Sequence, residues 1–213
     1  MLIQKGNGTE ILDEKKETDK SDRKHWGNYS GLNEYKIVAF PNMKISGKIT
    51  SLQKGIMGAN NFEKKNMPSP GICVMKFFAL DIIEEVLIKW VQRICSLHEE
   101  FSVTLNNIGA SPSGVIYLRV LNPTPFQQIS SKMNAVEELI ISSGGRLTMK
   151  VKNPKIIISE DLPEDDFFNT MLELSRKSFH ESFRLQELWL MKKSASETED
   201  HLINIFRLLP NAL

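Results

Sequence analysis

The chain has 213 residues, enough for one well-buried domain or, at the limit, two small ones. Hydrophobic residues make up 41% and charged residues 25%, a globular balance that excludes disordered, collagen-like and membrane-spanning compositions. The formal net charge is +1 at pH 7, so no global field draws the chain onto nucleic acid or an anionic membrane, and such binding must be local.

The two cysteines and the N-terminus indicate a compartment. Cys73 and Cys95 lie in apolar stretches without metal-ligand spacing, and two thiols make no disulfide framework. Met1 is not followed by the apolar run of a secretory signal, and no apolar stretch approaches the roughly 18 residues that cross a bilayer. We therefore predict a cytoplasmic chain with no membrane span, no metal and no cofactor.

Residues 1–32 mix acidic and basic side chains with few apolar ones, which predicts a mobile N-terminal tail. The predicted domain spans residues 33–194, and its first half covers about 34–110. We predict strands at 35–40, 72–77 and 101–108, a Lys- and Gly-containing stretch after the first strand, and a helix at 81–97. One face of this helix is apolar and comprises Ile82, Ile83, Val86, Leu87, Trp90, Val91, Ile94 and Cys95.

The second half, about 114–193, repeats this order of elements. Strand patterns occur at 115–121, 146–158 and 183–191, and helical patterns at 125–141 and 163–174. The repetition predicts an α+β fold built by internal duplication, with mixed and antiparallel strand pairing.

The last segment, 195–213, carries an apolar run that reads as an added element. Ser196 and Glu199 have the spacing of a capping box, and Pro210 ends the run. The apolar residues between them are Leu202, Ile203, Ile205, Phe206, Leu208 and Leu209. We predict an amphipathic C-terminal helix at 196–209 that packs on the domain or against a second copy, giving a homo-oligomer.

Motifs of the common catalytic classes are missing. The sequence has no phosphate-binding glycine loop, and His98-Glu99-Glu100 lacks the second histidine of a zinc-protease helix. The informative segments are two prolines, each placed just before the middle strand of a half. They read Pro70-Gly71-Ile72-Cys73-Val74 and Pro154-Lys155-Ile156-Ile157-Ile158.

At these segments the chain resembles the two-histidine (2H) phosphoesterase superfamily, in its RNA ligase-like and cyclic phosphodiesterase branch. That family carries a Pro-His-hydrophobic-Thr/Ser-hydrophobic signature once in each half. The resemblance covers about residues 34–193 and includes the strand and glycine turn at 101–112. It implies a duplicated, two-lobed α+β fold in which two sheets face a central cleft, with helices outside.

The sequence departs from the signature at all four functional positions. The resemblance places the histidines at Gly71 and Lys155 and the hydroxyl residues at Cys73 and Ile157. In active members one histidine removes a proton and the other protonates the leaving oxygen, each step being worth about 10² to 10⁴ in rate. Gly71 has no proton-transfer group, and Lys155 is normally protonated. Cys73 is a nucleophile only as a stabilised thiolate, and a small apolar strand residue is the favoured interpretation.

Three functions remain open, and we favour the first. In the first, the chain is a catalytically inactive 2H phosphoesterase-like domain used for binding or scaffolding. The floor of its cleft is then formed by Gly71, Cys73, Met75 and Ile157. Alternatively, Lys155 and His180 are relocated catalytic groups of an active RNA ligase-like enzyme or phosphodiesterase acting on 2',3'-cyclic or 2'-5' phosphodiesters. In the third function, RNA or a nucleotide binds weakly to a basic strip. Arg146, Lys150 and Lys152 share one parity in this strip, and Lys155 follows them.

Overall fold

The computed structural model describes residues 31–59, 68–160 and 162–211, so the predicted tail lies outside the described residues except for its last two. Within these ranges the chain forms nine strands, five α-helices and a short 3-10 turn at Asp81–Ile83. None of the helices described is long and apolar enough to cross a membrane.

The elements of the first half follow the predicted order, with one addition. They are β1 (Leu32–Ala39), α1 (Met43–Ala59), β2 (Ile72–Leu80), α2 (Glu84–Cys95) and β3 (Phe101–Ala110). The second half comprises β4 (Ile116–Val120), α3 (Thr124–Lys132), α4 (Asn134–Ser142), β5 (Arg146–Lys150), β6 (Lys155–Ser159), α5 (Glu164–Leu174), β7 (His180–Leu185) and β8 (Glu187–Lys193). A last strand, β9 (His201–Arg207), follows them.

The strands form two antiparallel sheets, which confirms the predicted α+β class. One sheet has five strands in the order β5-β2-β1-β8-β9, and the other has four in the order β6-β4-β3-β7. Each sheet takes strands from both halves of the sequence, so the lobes of the structure are not the two sequence halves.

One face of the five-stranded sheet is packed under helices. Tyr35, Ile37 and Phe77 on this face are fully buried, and α2, α3 and α4 contact its strands. The opposite face, which we call the open face, carries Lys36 and Cys73, which are partly exposed. In the four-stranded sheet α1 contacts β6, and Leu118 and Ile156 are buried. The open face of this sheet carries Tyr117 and Arg119.

The predicted apolar face of α2 is wider than the buried one. Leu87, Val91, Ile94 and Cys95 are buried, as is Ile83 in the preceding turn. In contrast, Ile82 is 83% exposed, and Val86 and Trp90 are each 42% exposed. These three residues, spaced four apart, form an exposed apolar stripe.

Helix α1 was not predicted, because its apolar pattern is interrupted. Ile45, Ile49 and Ile56 are buried on one side, but Gln53 takes the buried position between Ile49 and Ile56. The helix also contains Gly47 and Gly55, and glycine lowers helix propensity by about 1 kcal/mol.

Three predicted elements are divided in two. The predicted helix 125–141 breaks at Met133, which leaves helical geometry between α3 and α4. The predicted strand 146–158 is divided into β5 and β6 in different sheets, with Pro154 between them, because proline cannot continue a strand ladder. The predicted strand 183–191 likewise lies in β7 and β8, which belong to different sheets.

The predicted C-terminal helix is wrong, and its oligomer contact cannot form as predicted. The segment instead contains β9, which pairs antiparallel with β8. The register shifts between Leu190 and Met191, so Ile203 is an extra residue in the strand. Such a bulge replaces strict alternation by three- and four-residue spacings, which in sequence resemble a helix.

Candidate functional site

The structure brings the two signature segments together at the middle strands. Strands β2 and β6 contact each other although they belong to different sheets. Gln53 of α1 is fully buried, and its Nε2 donates to the carbonyl oxygens of Pro68 (2.9 Å) and Ile157 (3.2 Å). The Gln53 side chain therefore links the segment that precedes β2 to the middle of β6.

The place of a side chain at residue 71 is already filled. A Cβ built on Gly71 would overlap Cγ1 of Val38 and lie 2.9 Å from Cε1 of Phe40. Val38 is buried, and the Phe40 ring packs edge-to-face on Trp189 with 5.0 Å between the ring centroids. Neither neighbour is a flexible chain end, so a side chain fits at residue 71 only if the wall around it rearranges.

Cys73 has the character of a structural thiol. It pairs with Val38 across the sheet, and its Sγ lies 3.6 Å from the carbonyl oxygen of Met75. Burial raises the pKa of this thiol to about 11, even though Lys36 and Lys76 favour the thiolate. At neutral pH the group is a thiol, and the thiolate is the nucleophilic form.

Met75 does not floor the cleft. The register of β1 and β2 shifts so that Ile37 pairs with Met75 and Val38 with Cys73. Val74 is thus the extra residue of a bulge, which reverses the alternation beyond it. Met75 is consequently fully buried in the core, and Lys76 takes the open face instead.

An ion-pair network lies on the open face beside Cys73. Glu34 accepts from the Nζ atoms of Lys36 and Lys76 at 3.0 Å each, and Lys36 also pairs with Asp200 at 2.9 Å. Burial raises the pKa of Glu34, but the two ammonium groups outweigh it and the net shift is downward. The two lysines of this network are neutralised by its two carboxylates, so neither lysine is free to bind an anion.

Lys155 belongs to a second group of charges, on the open face of the four-stranded sheet. It pairs with Arg119 across β6 and β4, and its Nζ lies 4.8 Å from the ring centroid of Tyr117. Tyr117 pairs with Ile157 across the same two strands. Lys155 and Ile157, the two positions of β6 that differ from the family signature, therefore both lie next to Tyr117 and Arg119. Among the described residues, no carboxylate forms an ion pair with Lys155 or Arg119.

Gly109 of β3 leaves room for these side chains. A Cβ there would lie 2.8 Å from Nε of Arg119 and 2.9 Å from Cε2 of Tyr117. Tyr117, Arg119 and Gly109 were missed in the sequence as site residues. The sequence pattern that could have identified Tyr117 and Arg119 is the alternation of β4, which puts both side chains on one face of the sheet.

The predicted basic strip does not exist as one face. Arg146 pairs with Phe78, and its guanidinium lies over that ring. A bulge at Thr148 then turns Lys150 to the other side, where it binds Glu137 (2.9 Å) and Asn134 of α4. Lys152 is exposed in the loop after β5, and Lys155 lies in the other sheet.

The predicted pair of Lys155 and His180 is also separated. His180 is exposed in β7, with its Nδ1 3.2 Å from Oδ1 of Asn106. Strands β6 and β7 form opposite edges of the four-stranded sheet. Strands β4 and β3 lie between them, so Lys155 and His180 are not neighbours on the sheet.

Comparisons with known proteins identify the fold. Escherichia coli LigT complexed with 3'-AMP matches with a TM-score of 0.61 at 15% identity, covering 83% of this chain and 98% of LigT. LigT complexed with ATP gives a TM-score of 0.57 at 14% identity, covering 83% and 98%. The protein TT0787 of Thermus thermophilus gives 0.52 at 11% identity, covering 82% and 97%.

No family model and no curated protein match this chain. The similarity to solved structures confirms the fold that the family resemblance implied. Two sheets with strands from both halves face a central cleft, with helices outside.

Proposed function

This chain has the fold of the LigT-like 2H phosphoesterases, and we propose that it is a catalytically inactive member that binds the phosphate of a nucleotide without hydrolysing it. The occupied space at Gly71 carries the proposal of inactivity. The cations Lys155 and Arg119, which form no ion pair with a described carboxylate, support the proposal of binding.

The proposed inactivity rests on the residues at the two proton-transfer positions. Gly71 has no side chain, and Val38 and Phe40 fill the space in which one would begin. The other position is Lys155, whose Nζ lies against the Tyr117 ring. A charged ammonium donates hydrogen bonds but cannot accept a proton. Because paired catalytic groups act as a unit, loss of both removes nearly all of the rate.

The proposed phosphate binding rests on the charges of Lys155 and Arg119. Lys155 and Arg119 are direct neighbours on adjacent strands, and like charges in such pairs repel. A phosphate between them would offset the repulsion and accept charge-assisted hydrogen bonds from both. LigT, which shares the fold, has been crystallised with 3'-AMP and with ATP.

Calorimetric titration with 3'-AMP, and with adenosine as the ligand without phosphate, tests the binding. We expect 3'-AMP to bind and adenosine to show no measurable heat. Charge-assisted hydrogen bonds contribute about 1.5 to 3 kcal/mol, so Lys155→Ala and Arg119→Ala should each weaken binding about 10- to 100-fold. Lys89→Ala, an exposed lysine of α2, is the matched control and should leave the affinity unchanged.

The same preparations should show no hydrolysis of 2',3'-cyclic AMP. Turnover that persists through stringent purification and disappears in Lys155→Ala would overturn the proposal in favour of an enzyme with relocated groups. Equal binding of 3'-AMP by the wild type and by both site variants would overturn the proposed binding site.

A further inference from the structure

The outer edge of β9 is a second surface with a recognisable partner. Strand β9 ends the five-stranded sheet, and no described strand pairs with its outer side. Leu208 donates its backbone N–H to Gln186 at 2.8 Å, so the alternation of an antiparallel ladder turns the backbone groups of Ile205 and Arg207 outward. The edge closes at Leu209, which pairs with His98 and Glu100.

The residues along this edge lack the usual protection against strand pairing. The five residues from Leu202 to Phe206 carry no charge. Edge strands of proteins are commonly protected by charged side chains. The edge strand β7 carries Glu181 and Arg184, and the edge strand β5 begins and ends with a basic residue.

The bulge at Ile203 makes the edge self-complementary. Leu202 pairs with Met191 and Ile205 with Trp189, so both lie on the open face although they are three residues apart. They are 46% and 38% exposed. Arg207 ends the strand, and Asp200, which pairs with Lys36 of its own chain, lies just before its first residue.

We propose that a second copy of this chain pairs its β9 antiparallel with this edge, about a twofold axis between Ile203 and Asn204. Leu202 then lies opposite Ile205 of the second copy, and Asp200 opposite its Arg207. The outward backbone groups form a ladder, and the two sheets become one sheet of ten strands.

Light scattering on the full chain tests the oligomeric state. We expect a mass twice the 24.3 kDa of one chain at micromolar concentration. Ile205→Lys should halve the mass, because it places a charge against the apolar pair. Leu172→Lys, at a residue of α5 that is 60% exposed, should leave the mass unchanged. A monomeric wild type, or a dimer unaffected by Ile205→Lys, would overturn the proposal.

Cysteine pairing tests the register independently of any loss of folding. Leu202→Cys and Ile205→Cys chains, co-expressed and mildly oxidised, should form a disulfide-linked dimer. Each variant alone should cross-link no more than the wild type with its own Cys73 and Cys95. Cross-linking that is equal in unmixed samples, or no cross-link in the mixture, would overturn the proposed pairing.

Discussion

At the scale of single residues, Gly71 argues against catalysis more strongly than any charged group does. Its significance comes from its neighbours, because Val38 and Phe40 occupy the volume that a side chain would need. A histidine cannot be restored here by one substitution without repacking the Phe40–Trp189 pair.

Gly71→Ala should destabilise the fold. A Cβ at this position overlaps Val38, and overpacking of this kind costs about 1 to 3 kcal/mol. Urea unfolding with intact ligand-free protein measures the change in the free energy of unfolding.

Gly47→Ala is the matched control for Gly71→Ala. Gly47 lies within α1, and nothing stands within 4 Å of its missing Cβ, so alanine should stabilise the chain by up to about 1 kcal/mol. If both substitutions shift the unfolding midpoint in the same direction, the close approach at Gly71 is wrong.

The sequence indicated which residues stand at the signature positions but not what surrounds them. The identities of Gly71 and Lys155 are read directly from the two proline segments. Whether a pocket is filled depends on strand pairing between distant residues, such as Val38 with Cys73, and on the side chains that this pairing places together. Arg119 likewise lies beside Lys155 only because β4 pairs with β6, and local sequence does not indicate this pairing.

At the scale of elements, bulges account for most of the wrong predictions about faces. Val74 in β2, Thr148 in β5 and Ile203 in β9 each add one residue to an antiparallel pair. One added residue reverses the face of every side chain beyond it in the strand. Periodicity therefore located the strands of the domain but assigned Met75 and Lys150 to the wrong faces and made β9 look helical.

The buried amide of Gln53 is the clearest element-scale prediction. It satisfies the carbonyl oxygens of Pro68 and Ile157 from a helix that carries no signature residue. Gln53→Ala removes the donor of two partly buried hydrogen bonds, and losing the partner of a buried acceptor costs about 1 to 3 kcal/mol. We expect a lower thermal midpoint and weaker 3'-AMP binding, since β6 carries Lys155.

The control for Gln53 is Gln128→Ala in α3. Gln128 is exposed and its side chain makes no hydrogen bond with the described residues, so the change should stay within about 0.5 kcal/mol. A Gln53→Ala variant as stable as this control would contradict the role assigned to the buried amide.

At the scale of the whole molecule, repetition and the order of elements were enough to predict the class of fold. The assignment of strands to sheets was not predictable in the same way. Strands β2 and β5 come from different halves and lie side by side, whereas β5 and β6 are consecutive and belong to different sheets. Such pairings depend on long-range packing, which local patterns do not encode.

Charge also acts locally in this molecule. A net charge of +1 gives no general attraction for nucleic acid, yet Lys155 and Arg119 concentrate two cations at one place. Two cations neutralise few phosphates, so binding should suit a single nucleotide better than a long RNA, whose affinity grows with the number of neutralised phosphates. The compartment in which the chain works stays a prediction.

We propose, in short, a cleft that holds a phosphate and cannot hydrolyse it. A crystal structure of the full chain grown with 2',3'-cyclic AMP tests it most directly. We expect an intact cyclic phosphate within hydrogen-bond distance of Lys155 and Arg119, with Phe40 and Val38 still filling the space at Gly71. An opened phosphomonoester at that place, or a nucleotide bound away from both cations, would contradict it.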